Sequence, residues 1–365
     1  MSEWQTFCLK DLGKIVGGAT PPTNNPKNYG NKIAWITPKD LSTLQGRYIK
    51  KGSRSISRLG FKSCSCVLLP KHAILFSSRA PIGYVAIAKK RLCTNQGFKS
   101  IIPNKKIYFE FLYYLLKYHK NNFINMGEGT TIKGIYNIAL GLFKVKIPPT
   151  YYEQQKIART LSILDQKIEN NHKINELLHT LAYKIYEYYF KYKPKNAKLE
   201  QIIIENPKSS IMVKNAQKTQ DKYPFFTSGD NILSYPKTII DGRNCFLNTG
   251  GNAGIKFYIG KASYSTDTWC ICANEFSDYL YLLLSSIKTH INQSFFQGTS
   301  LKHLQKNLLK KYPIYMPSAH EIKKFNQIIM PLLTLISINT RTSKKLEQIR
   351  DFLLPLLLKQ QVKPK

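Results

Sequence analysis

Residues 151–190 read YYEQQKIARTLSILDQKIENNHKINELLHTLAYKIYEYYF, a stretch without proline or glycine. Apolar or amide side chains recur in it at alternating steps of four and three residues, which keeps one stripe of a helix facing a partner helix. A helix of about 40 residues would be about 60 Å long at roughly 1.5 Å per residue, so it needs a second helix to cover its stripe. The stripe consists of Ile157, Leu161, Leu164, Ile168, Asn171, Asn175, Leu178, Ala182, Ile185 and Tyr189.

The same pattern returns near the C-terminus, between residues 325 and 353. Its positions are Phe325, Ile329, Leu332, Ile336, Asn339, Ser343, Leu346 and Leu353. Both stripes turn polar at the same place, because Asn339 lies 168 residues after Asn171 (339 − 171 = 168). Buried amides fix the register of packed helices, so the matched break favours a packed pair over two unrelated amphipathic helices. Pro331 and Pro355 predict a local kink or an end of the second helix.

The chain is strongly basic, with 55 Lys and Arg against 21 Asp and Glu and a formal charge of +34 over 365 residues. Such a charge repels itself in a compact state unless a polyanion offsets it, and nucleic acid is the first candidate. An anionic membrane surface is less favoured, because no helix combines one basic face with one apolar face. Lysine enrichment in an AT-rich genome is the alternative explanation. No apolar run reaches the roughly 18 residues of a membrane span, and we expect a soluble cytoplasmic protein.

The seven cysteines follow Cys-x-Cys rather than Cys-x-x-Cys spacing, with no histidine at zinc-ligand spacing nearby. We expect reduced and mostly buried thiols, with no metal and no cofactor. The cysteines are Cys8, Cys64, Cys66, Cys93, Cys245, Cys270 and Cys272.

Residues 1–150 predict a mixed domain of short strands with one helix of moderate length, at Tyr108–Tyr118. An amphipathic turn is expected at residues 135–142. The predicted strands are Ile33–Thr37, Cys66–Leu69, Ala73–Phe76, Tyr84–Ala88 and Lys144–Ile147.

Residues 194–318 repeat this order at offsets that are constant within blocks and change in steps. Thr37 recurs as Thr227 (227 − 37 = 190), Gly83 as Gly254 (254 − 83 = 171), and Pro148 as Pro317 (317 − 148 = 169). Such steps are typical of a duplicated unit with deletions in its loops, here of about 19 residues between the first two blocks.

The predicted fold class is α+β: two globular mixed domains in tandem, separated by two long helices in an internal duplication. The predicted boundaries are 1–150 and 194–318 for the globular domains, and 151–193 and 319–360 for the long helices. Two similar surfaces at a fixed separation on DNA would read two half-sites about one helical turn or more apart.

Seven short stretches in this order are similar to the DNA-specificity subunit of type I restriction–modification systems, and the resemblance covers essentially the whole chain. The second half of the chain departs further from the family's motifs, since it has Asn248-Thr-Gly-Gly251 where the first half has Ser77-Ser-Arg-Ala80. The stretches are Trp35-Ile-Thr-Pro-Lys-Asp40, Ser77-Ser-Arg-Ala-Pro-Ile-Gly83, Thr94-Asn-Gln-Gly-Phe98, Gly127-Glu-Gly-Thr-Thr131, Ile147-Pro-Pro149, Glu153-Gln-Gln-Lys-Ile-Ala158 and Leu164-Asp-Gln-Lys-Ile168.

The resemblance implies two target-recognition domains and two antiparallel helices forming a coiled coil. Each domain would read one half of a bipartite, asymmetric site in double-stranded DNA. Two modification (adenine methyltransferase) subunits would dock on the helices, and restriction (translocase and endonuclease) subunits would join them. The family's subunit has no catalytic activity; it chooses the sequence that its partners methylate or cleave.

The catalytic motifs that we sought are not found in the sequence. Ile147-Pro-Pro-Thr150 lacks the acidic or amide residue of an adenine-methyltransferase loop, and Gly250-Gly-Asn-Ala-Gly254 lacks the Gly-Lys-Ser/Thr ending of a phosphate-binding loop. Acid-x-Lys pairs at Asp165 and Glu321 fall on the long helices, where solvated charges are the simpler interpretation. A coiled-coil scaffold whose globular ends bind protein or RNA remains the alternative function.

The candidate DNA-binding residues are basic, amide or hydroxyl side chains near turns, because such groups contact phosphates and base edges. Solvated surface charge or a turn cap is the simpler interpretation of any single one. In the first half they are Lys39, Arg54, Arg58, Arg79, Asn95, Gln96, Thr130, Thr131 and Lys133. In the second half they are Lys222, Thr227, Arg243, Asn248, Lys256, Thr266, Asp267, Ser300 and Lys302.

Overall fold

The computed structural model describes residues 3–129, 133–216 and 222–364. The chain divides into two compact units, of which unit 1 comprises residues 1–171 with 342–365 and unit 2 comprises residues 172–341. Each unit therefore contains a globular segment and one part of each long helix.

Unit 1 begins with β1 (Gln5–Cys8), α1 (Leu9–Leu12), β2 (Gly13–Gly17), β3 (Tyr29–Ile36), α2 (Pro38–Ser42), β4 (Tyr48–Ile49), β5 (Arg54–Ile56) and α3 (Arg58–Lys62). It continues with β6 (Ile74–Phe76), β7 (Val85–Ala88), β8 (Cys93–Thr94), β9 (Lys99–Pro103), α4 (Phe109–Tyr118), α5 (Lys120–Asn125), α6 (Asn137–Leu142) and β10 (Lys144–Ile147). The long helix α7 follows at Tyr151–Tyr186.

The main sheet of unit 1 has the strand order β2-β9-β6-β7-β4, and a three-stranded sheet has the order β5-β3-β8. Successive side chains of a strand point to opposite faces of the sheet, so a strand that is buried on both faces contributes side chains to two hydrophobic cores. Ile74 and Phe76 of β6 join the core that includes α4, whereas Leu75 joins the core on the other face. Helix α4 is buried from Glu110 to Leu116, which explains its almost continuous apolar sequence.

Unit 2 contains β11 (Ala197–Lys198), β12 (Ile204–Glu205), β13 (Tyr223–Phe226), β14 (Leu233–Tyr235), β15 (Arg243–Asn248), β16 (Ile255–Ile259), β17 (Ser263–Tyr264) and β18 (Thr268–Cys272). It ends with α8 (Ser277–Ser286), α9 (Lys288–Ser294), β19 (Phe296–Gln297), β20 (His303–Leu304), α10 (Lys306–Lys310), β21 (Pro313–Ile314) and α11 (Ala319–Leu358), which continues into unit 1. Its sheets have the orders β12-β18-β15-β16, β14-β13-β17, β11-β21 and β19-β20.

The two units have the same internal strand pairing, which confirms the predicted duplication. Strand β1 pairs with β10 as β11 pairs with β21, and β2 pairs with β9 as β12 pairs with β18. The parallel pair β3 and β8 corresponds to the parallel pair β13 and β17. These pairs follow the offsets read from the sequence to within one residue. Ile15 opposite Ile101 in unit 1 corresponds to Glu205 opposite Ile271 in unit 2 (205 − 15 = 190; 271 − 101 = 170).

The extra residues of unit 1 fall into two insertions. Arg54 of β5 lies opposite Trp35 in unit 1, and Leu233 of β14 lies opposite Phe225 in unit 2. The offset between the two units is 190 at the first strand of this pair (225 − 35 = 190) but only 179 at the second (233 − 54 = 179). The first insertion lies between β3 and β5 and contains β4, and the second lies between β5 and β6 and contains α3. Strand β4 extends the main sheet by pairing with β7.

The long helices are close to the predicted extents. Helix α7 ends in a π-helical turn at Glu187–Lys191, and α11 runs without interruption through Pro331 and Pro355. Neither proline ends the helix, so that part of the prediction is wrong, and a local kink at either proline stays a prediction. A proline removes one backbone hydrogen bond, and the burial of Ile329 and Leu333 on both sides of Pro331 outweighs that loss. The predicted strand at Cys66–Leu69 is also wrong, because only a single bridge forms there, between Leu69 and Leu92.

The helices pack antiparallel within each unit. Every predicted stripe position is buried or half-buried. In unit 1 the Asn171 amide donates to the Ser343 hydroxyl at 3.2 Å. In unit 2 the Asn339 amide donates to Asn175 Oδ1 at 3.0 Å. The two bonds are equivalent under the 168-residue offset (339 − 171 = 168; 343 − 175 = 168), so the polar break does pair across the seam in both units.

Among the residues that the structure describes, no helix has the length and apolar character needed to cross a lipid bilayer.

Replacing Leu161 by alanine should lower the free energy of unfolding by about 3 kcal/mol, because its fully buried side chain would leave a cavity between α7 and the core of unit 1. Urea unfolding followed by tryptophan fluorescence measures the change. The matched control is Ile163→Ala, two residues along the same helix and 44% exposed, for which we expect a smaller loss. Equal losses for the two variants would contradict the assigned seam.

Candidate nucleic-acid interface

Four loops of unit 1 are joined by backbone hydrogen bonds. The Asn95 N–H donates to the Ile36 carbonyl at 2.9 Å, and the Ser78 N–H donates to the Gly97 carbonyl at 2.8 Å. The Ile135 N–H then donates to the Ser78 carbonyl at 3.0 Å. The segments after β3, after β6, after β8 and before α6 therefore form one surface, which we call loop cluster 1 (residues 36–40, 77–84, 94–98 and 127–129 with 133–136).

The sequence-predicted residues of loop cluster 1 differ in what their side chains do. Those of Lys39, Arg79, Gln96 and Lys133 are exposed, and Arg79 forms a backbone bridge with Gly134, next to Lys133. Asn95 Oδ1 accepts the Gly97 N–H at 3.0 Å, so this amide braces the turn. Thr130 and Thr131 lie outside the described residues.

Asp40 is a supporting residue that the candidate set omits. Its carboxylate accepts the Thr37 N–H and hydroxyl, each at 2.7 Å, and the Ser53 N–H at 2.6 Å. Burial raises the pKa of Asp40, but the hydrogen bonds from Ser53 and Thr37 outweigh burial and leave the pKa lowered. The ionised carboxylate thus fixes the start of α2, which carries Lys39. The spacing from Thr37 to Asp40 is that of a capping box and is visible in the sequence.

Arg54 and Arg58 are exposed and lie outside loop cluster 1, on β5 and at the start of α3. Arg54 lines a shallow pocket together with Thr23 and Tyr29. Arg58 starts the second insertion of unit 1, which has no counterpart in unit 2.

Unit 2 has an equivalent set of joined loops. The Ser265 N–H donates to the Phe226 carbonyl at 2.9 Å, the Thr249 N–H to the Asp267 carbonyl at 3.2 Å, and the Leu304 N–H to the Thr249 carbonyl at 2.9 Å. These bonds match the three of loop cluster 1 nearly residue for residue. We call this surface loop cluster 2 (residues 226–230, 248–254, 265–268 and 298–304). Gly298 has a φ of +139°, a region that favours glycine, and it turns the chain into the last loop.

Three predicted residues of unit 2 brace loop cluster 2 from inside. The Lys256 ammonium donates to the Thr227 carbonyl at 2.8 Å and to Asn248 Oδ1 at 3.0 Å, and burial lowers the pKa of Lys256. Thr227 and Asn248 are 5% and 6% exposed. The Asn248 amide also donates to the Asn252 carbonyl, as the Ser77 hydroxyl does to Pro81 in unit 1. In this conformation the three side chains are not free to contact DNA.

The exposed members of the predicted set in unit 2 are Lys222, Thr266, Asp267, Ser300 and Lys302. The last four belong to loop cluster 2, where the Gly251 N–H donates to the Lys302 carbonyl at 2.9 Å. Lys222 lies just before β13.

Arg243 lies at the opposite end of β15 from loop cluster 2. Its guanidinium makes a two-point ion pair with Asp278, with nitrogen–oxygen distances of 2.9 and 2.8 Å. It also donates to the Thr334 hydroxyl at 3.2 Å and to the Met330 carbonyl at 3.3 Å, both on α11. Burial raises the pKa of Asp278, which the arginine opposes. Arg243 is thus occupied in packing the globular part of unit 2 on α11.

The thiol of Cys64 is not activated as a nucleophile. All seven cysteines are free, and Cys64 Sγ lies 3.2 Å from Cys66 Sγ. Burial and the bond to Cys66 raise the pKa of Cys64 to about 11, so it stays protonated near neutral pH. No cluster of three or more His, Cys, Asp or Glu residues arranged to bind a metal occurs among the described residues.

A family model described as "Type I restriction modification DNA specificity domain" matches the chain twice, at residues 1–180 and 195–348. The chain is 31% identical to the type I restriction enzyme MjaIX specificity subunit of Methanocaldococcus jannaschii, over 98% of this chain and 93% of that protein. It is 23% identical to a putative type I specificity subunit of Mycoplasma genitalium, over 84% of this chain and 80% of that protein.

A solved structure has the same fold. It is the crystal structure of a type I restriction–modification S subunit from M. genitalium, with a TM-score of 0.64 at 18% identity, covering 98% of this chain and 96% of that one. The duplicated family match agrees with the duplicated strand pairing, so the chain has two target-recognition domains. The chain therefore belongs to the type I restriction–modification DNA specificity subunits, the non-catalytic members of type I restriction–modification complexes.

Proposed function

We propose that loop clusters 1 and 2 each read one half of a bipartite, asymmetric DNA site. The two recognition domains would be residues 1–150 and 194–318. The observation that carries this proposal is the equivalent backbone bonding of the two clusters, which present different exposed side chains. The same loop architecture with different side chains is what two different half-sites require.

The exposed side chains have the chemistry of DNA readers. Arg79 suits a phosphate, and the exposed Gln96 amide can donate to a base edge through Nε2, while its Oε1 accepts the Thr20 hydroxyl. In loop cluster 2, Asp267 could accept from a cytosine amino group, and Lys302 suits a phosphate. The two sets differ in both charge and donor pattern, so the half-sites should differ in sequence. The net charge of +34 supports a polyanionic partner.

The partners proposed for this chain are two modification (adenine methyltransferase) subunits, which restriction (translocase and endonuclease) subunits join. Apolar side chains remain exposed on the long helices, away from the seam. In unit 1 Tyr152 and Phe352 are 65% and 68% exposed, and in unit 2 Leu177 is 71% exposed. Exposed apolar side chains of this size are typical of surfaces that another protein covers. A cytoplasmic location stays a prediction.

Deletion of the gene should remove one bipartite adenine-methylated motif from host DNA, because the chain selects the sequence that its partners methylate. Single-molecule methylation mapping of strains with the gene intact and deleted measures this, and it yields both half-sites at once. Restoring the gene on a plasmid is the control and should restore the motif.

Two other results would count against the proposal. If a motif disappears but consists of one continuous sequence, the two clusters do not read separate half-sites. If no motif disappears although the partner subunits are expressed, the scaffold alternative is favoured.

Replacing Arg79 by alanine should weaken binding of the assembled complex to its site and reduce the salt dependence of that binding. Each phosphate contact contributes a slope of roughly 0.9 in log affinity against log salt, so loss of one contact lowers the slope by about that amount. Fluorescence anisotropy at several salt concentrations measures both quantities. The matched control is Lys146→Ala, exposed on β10 outside the loops, which should leave the slope unchanged. Equal effects of the two variants would argue against loop cluster 1 as the interface.

A further inference from the structure

A buried ionic cluster lies in unit 1 outside the DNA-reading loops. Its centre is Arg47, whose side chain is 3% exposed. Arg47 Nη1 lies 2.8 Å from Glu110 Oε1, and Arg47 Nε lies 3.2 Å from Glu169 Oε1. Glu169 Oε1 also accepts the Arg47 backbone N–H at 2.9 Å. One guanidinium thus binds two carboxylates that are far apart in the sequence.

A second arginine completes the cluster. Arg350 Nη1 lies 2.7 Å from Asp165 Oδ1, while Asp165 Oδ2 accepts the Tyr114 hydroxyl at 2.5 Å and lies 4.0 Å from Arg47 Nε. Asp165 therefore links the two arginines, and because it is 4% exposed the interpretation of its charge as solvated is wrong. We call Arg47, Glu110, Asp165, Glu169 and Arg350 the Arg47 cluster.

The Arg47 cluster connects four elements of unit 1. Arg47 precedes β4 at the edge of the main sheet, where its carbonyl accepts the Ile87 N–H at 2.8 Å. Glu110 lies on α4, Asp165 and Glu169 lie on α7, and Arg350 lies on α11. The cluster therefore bonds the sheet and α4 of recognition domain 1 directly to both long helices.

Such a cluster sets geometry more strictly than apolar packing does. A buried charge is stabilised only where its partners have good geometry, so a small displacement of the domain would leave charges unpaired. Burial alone would lower the pKa of Arg47, but Tyr114, Glu169, Glu110 and Asp165 raise it, so the guanidinium stays charged. Apolar side chains, by contrast, keep most of their burial when two surfaces slide by a small distance.

Unit 2 lacks this cluster. Under the 168-residue offset, Asp165 corresponds to Leu333, Glu169 to Ser337 and Arg350 to Ala182 (333 − 165 = 168; 350 − 182 = 168). Leu333 and Ala182 are buried in the apolar core of unit 2. Glu110 alone keeps an acidic counterpart, Asp278, which pairs with Arg243 instead.

Arg47 lies on the first insertion of unit 1, between β3 and β5. The insertion and the two carboxylates of α7, Asp165 and Glu169, are thus present together in unit 1, and their counterparts are missing together in unit 2. A requirement for stability alone would not explain this difference, because unit 2 packs on the same helices through apolar residues and the single Arg243–Asp278 ion pair.

We infer that Arg47 is a positioning residue that fixes the pose of recognition domain 1 on the long helices, and with it the spacer length that the complex accepts. This inference rests on the proposed bipartite reading. One base pair corresponds to about 3.4 Å along DNA, so a modest displacement of loop cluster 1 is enough to admit a neighbouring spacer.

The test measures methylation of a plasmid library by the assembled complex. The library carries the two mapped half-sites separated by the native spacer and by spacers one or two base pairs shorter and longer. With Arg47→Met, methylation at spacers one base pair off, relative to the native spacer, should rise about tenfold, which corresponds to about 1.4 kcal/mol. Arg350→Gln, at the more exposed side of the cluster, should give a smaller rise in the same direction and covers the case in which Arg47→Met fails to fold.

The matched control is Phe76→Leu, which disturbs the core of the same domain without touching the Arg47 cluster. It should lower methylation at all spacers in equal proportion. If the cluster variants behave like Phe76→Leu, Arg47 contributes only stability and the inference is overturned. If the wild-type complex prefers no spacer, the proposed bipartite reading itself fails, and this inference fails with it.

Discussion

The apolar stripe of α7 is the constraint on which both units depend. A helix of 36 residues cannot bury one of its own faces, so α11 has to lie along it. The stripe does more than join two helices, because it is part of the core of each unit. Leu161 belongs to the same cluster as Phe111 in unit 1, and Ala182 belongs to the same cluster as Tyr279 in unit 2. The same buried side chains therefore stabilise both the pairing of the two helices and the packing of each globular segment on them.

The same seam shows what a sequence can predict. The polar break at Asn171 and Asn339 was visible because apolar periodicity makes an amide stand out, and the amides do bond across the seam. The strand Lys144–Ile147 was predicted with its exact bounds, since alternating residues and two following prolines mark it. The helix end considered at Pro331 and the strand predicted at Cys66–Leu69 are wrong for the same reason. In both places tertiary packing overrides local propensity, and no local pattern encodes that packing.

The candidate site was predictable at the level of loops but not of individual side chains. The sequence motifs fall on the loops that the structure brings together. These loops were recognisable in the sequence because turn-forming residues mark them. Whether a polar side chain faces solvent or braces its own loop depends on neighbours that are distant in sequence. Asn248 and Lys256 are examples, since they bind each other and the Thr227 carbonyl. Arg47 was missed for the same reason: its partners lie 63 and 122 residues away.

The division of unit 1 into two separate chain segments has a consequence for synthesis on the ribosome. Unit 2 is one continuous segment, residues 172–341, whereas unit 1 needs residues 342–365 to cover its part of α7. During translation the second unit can close first, while the core of the first lacks Leu354, Leu357 and Leu358 until the last helix emerges. The domain that is made first is therefore completed last. Premature termination near the C-terminus would leave the core of unit 1 incomplete, although most of unit 1 is translated first.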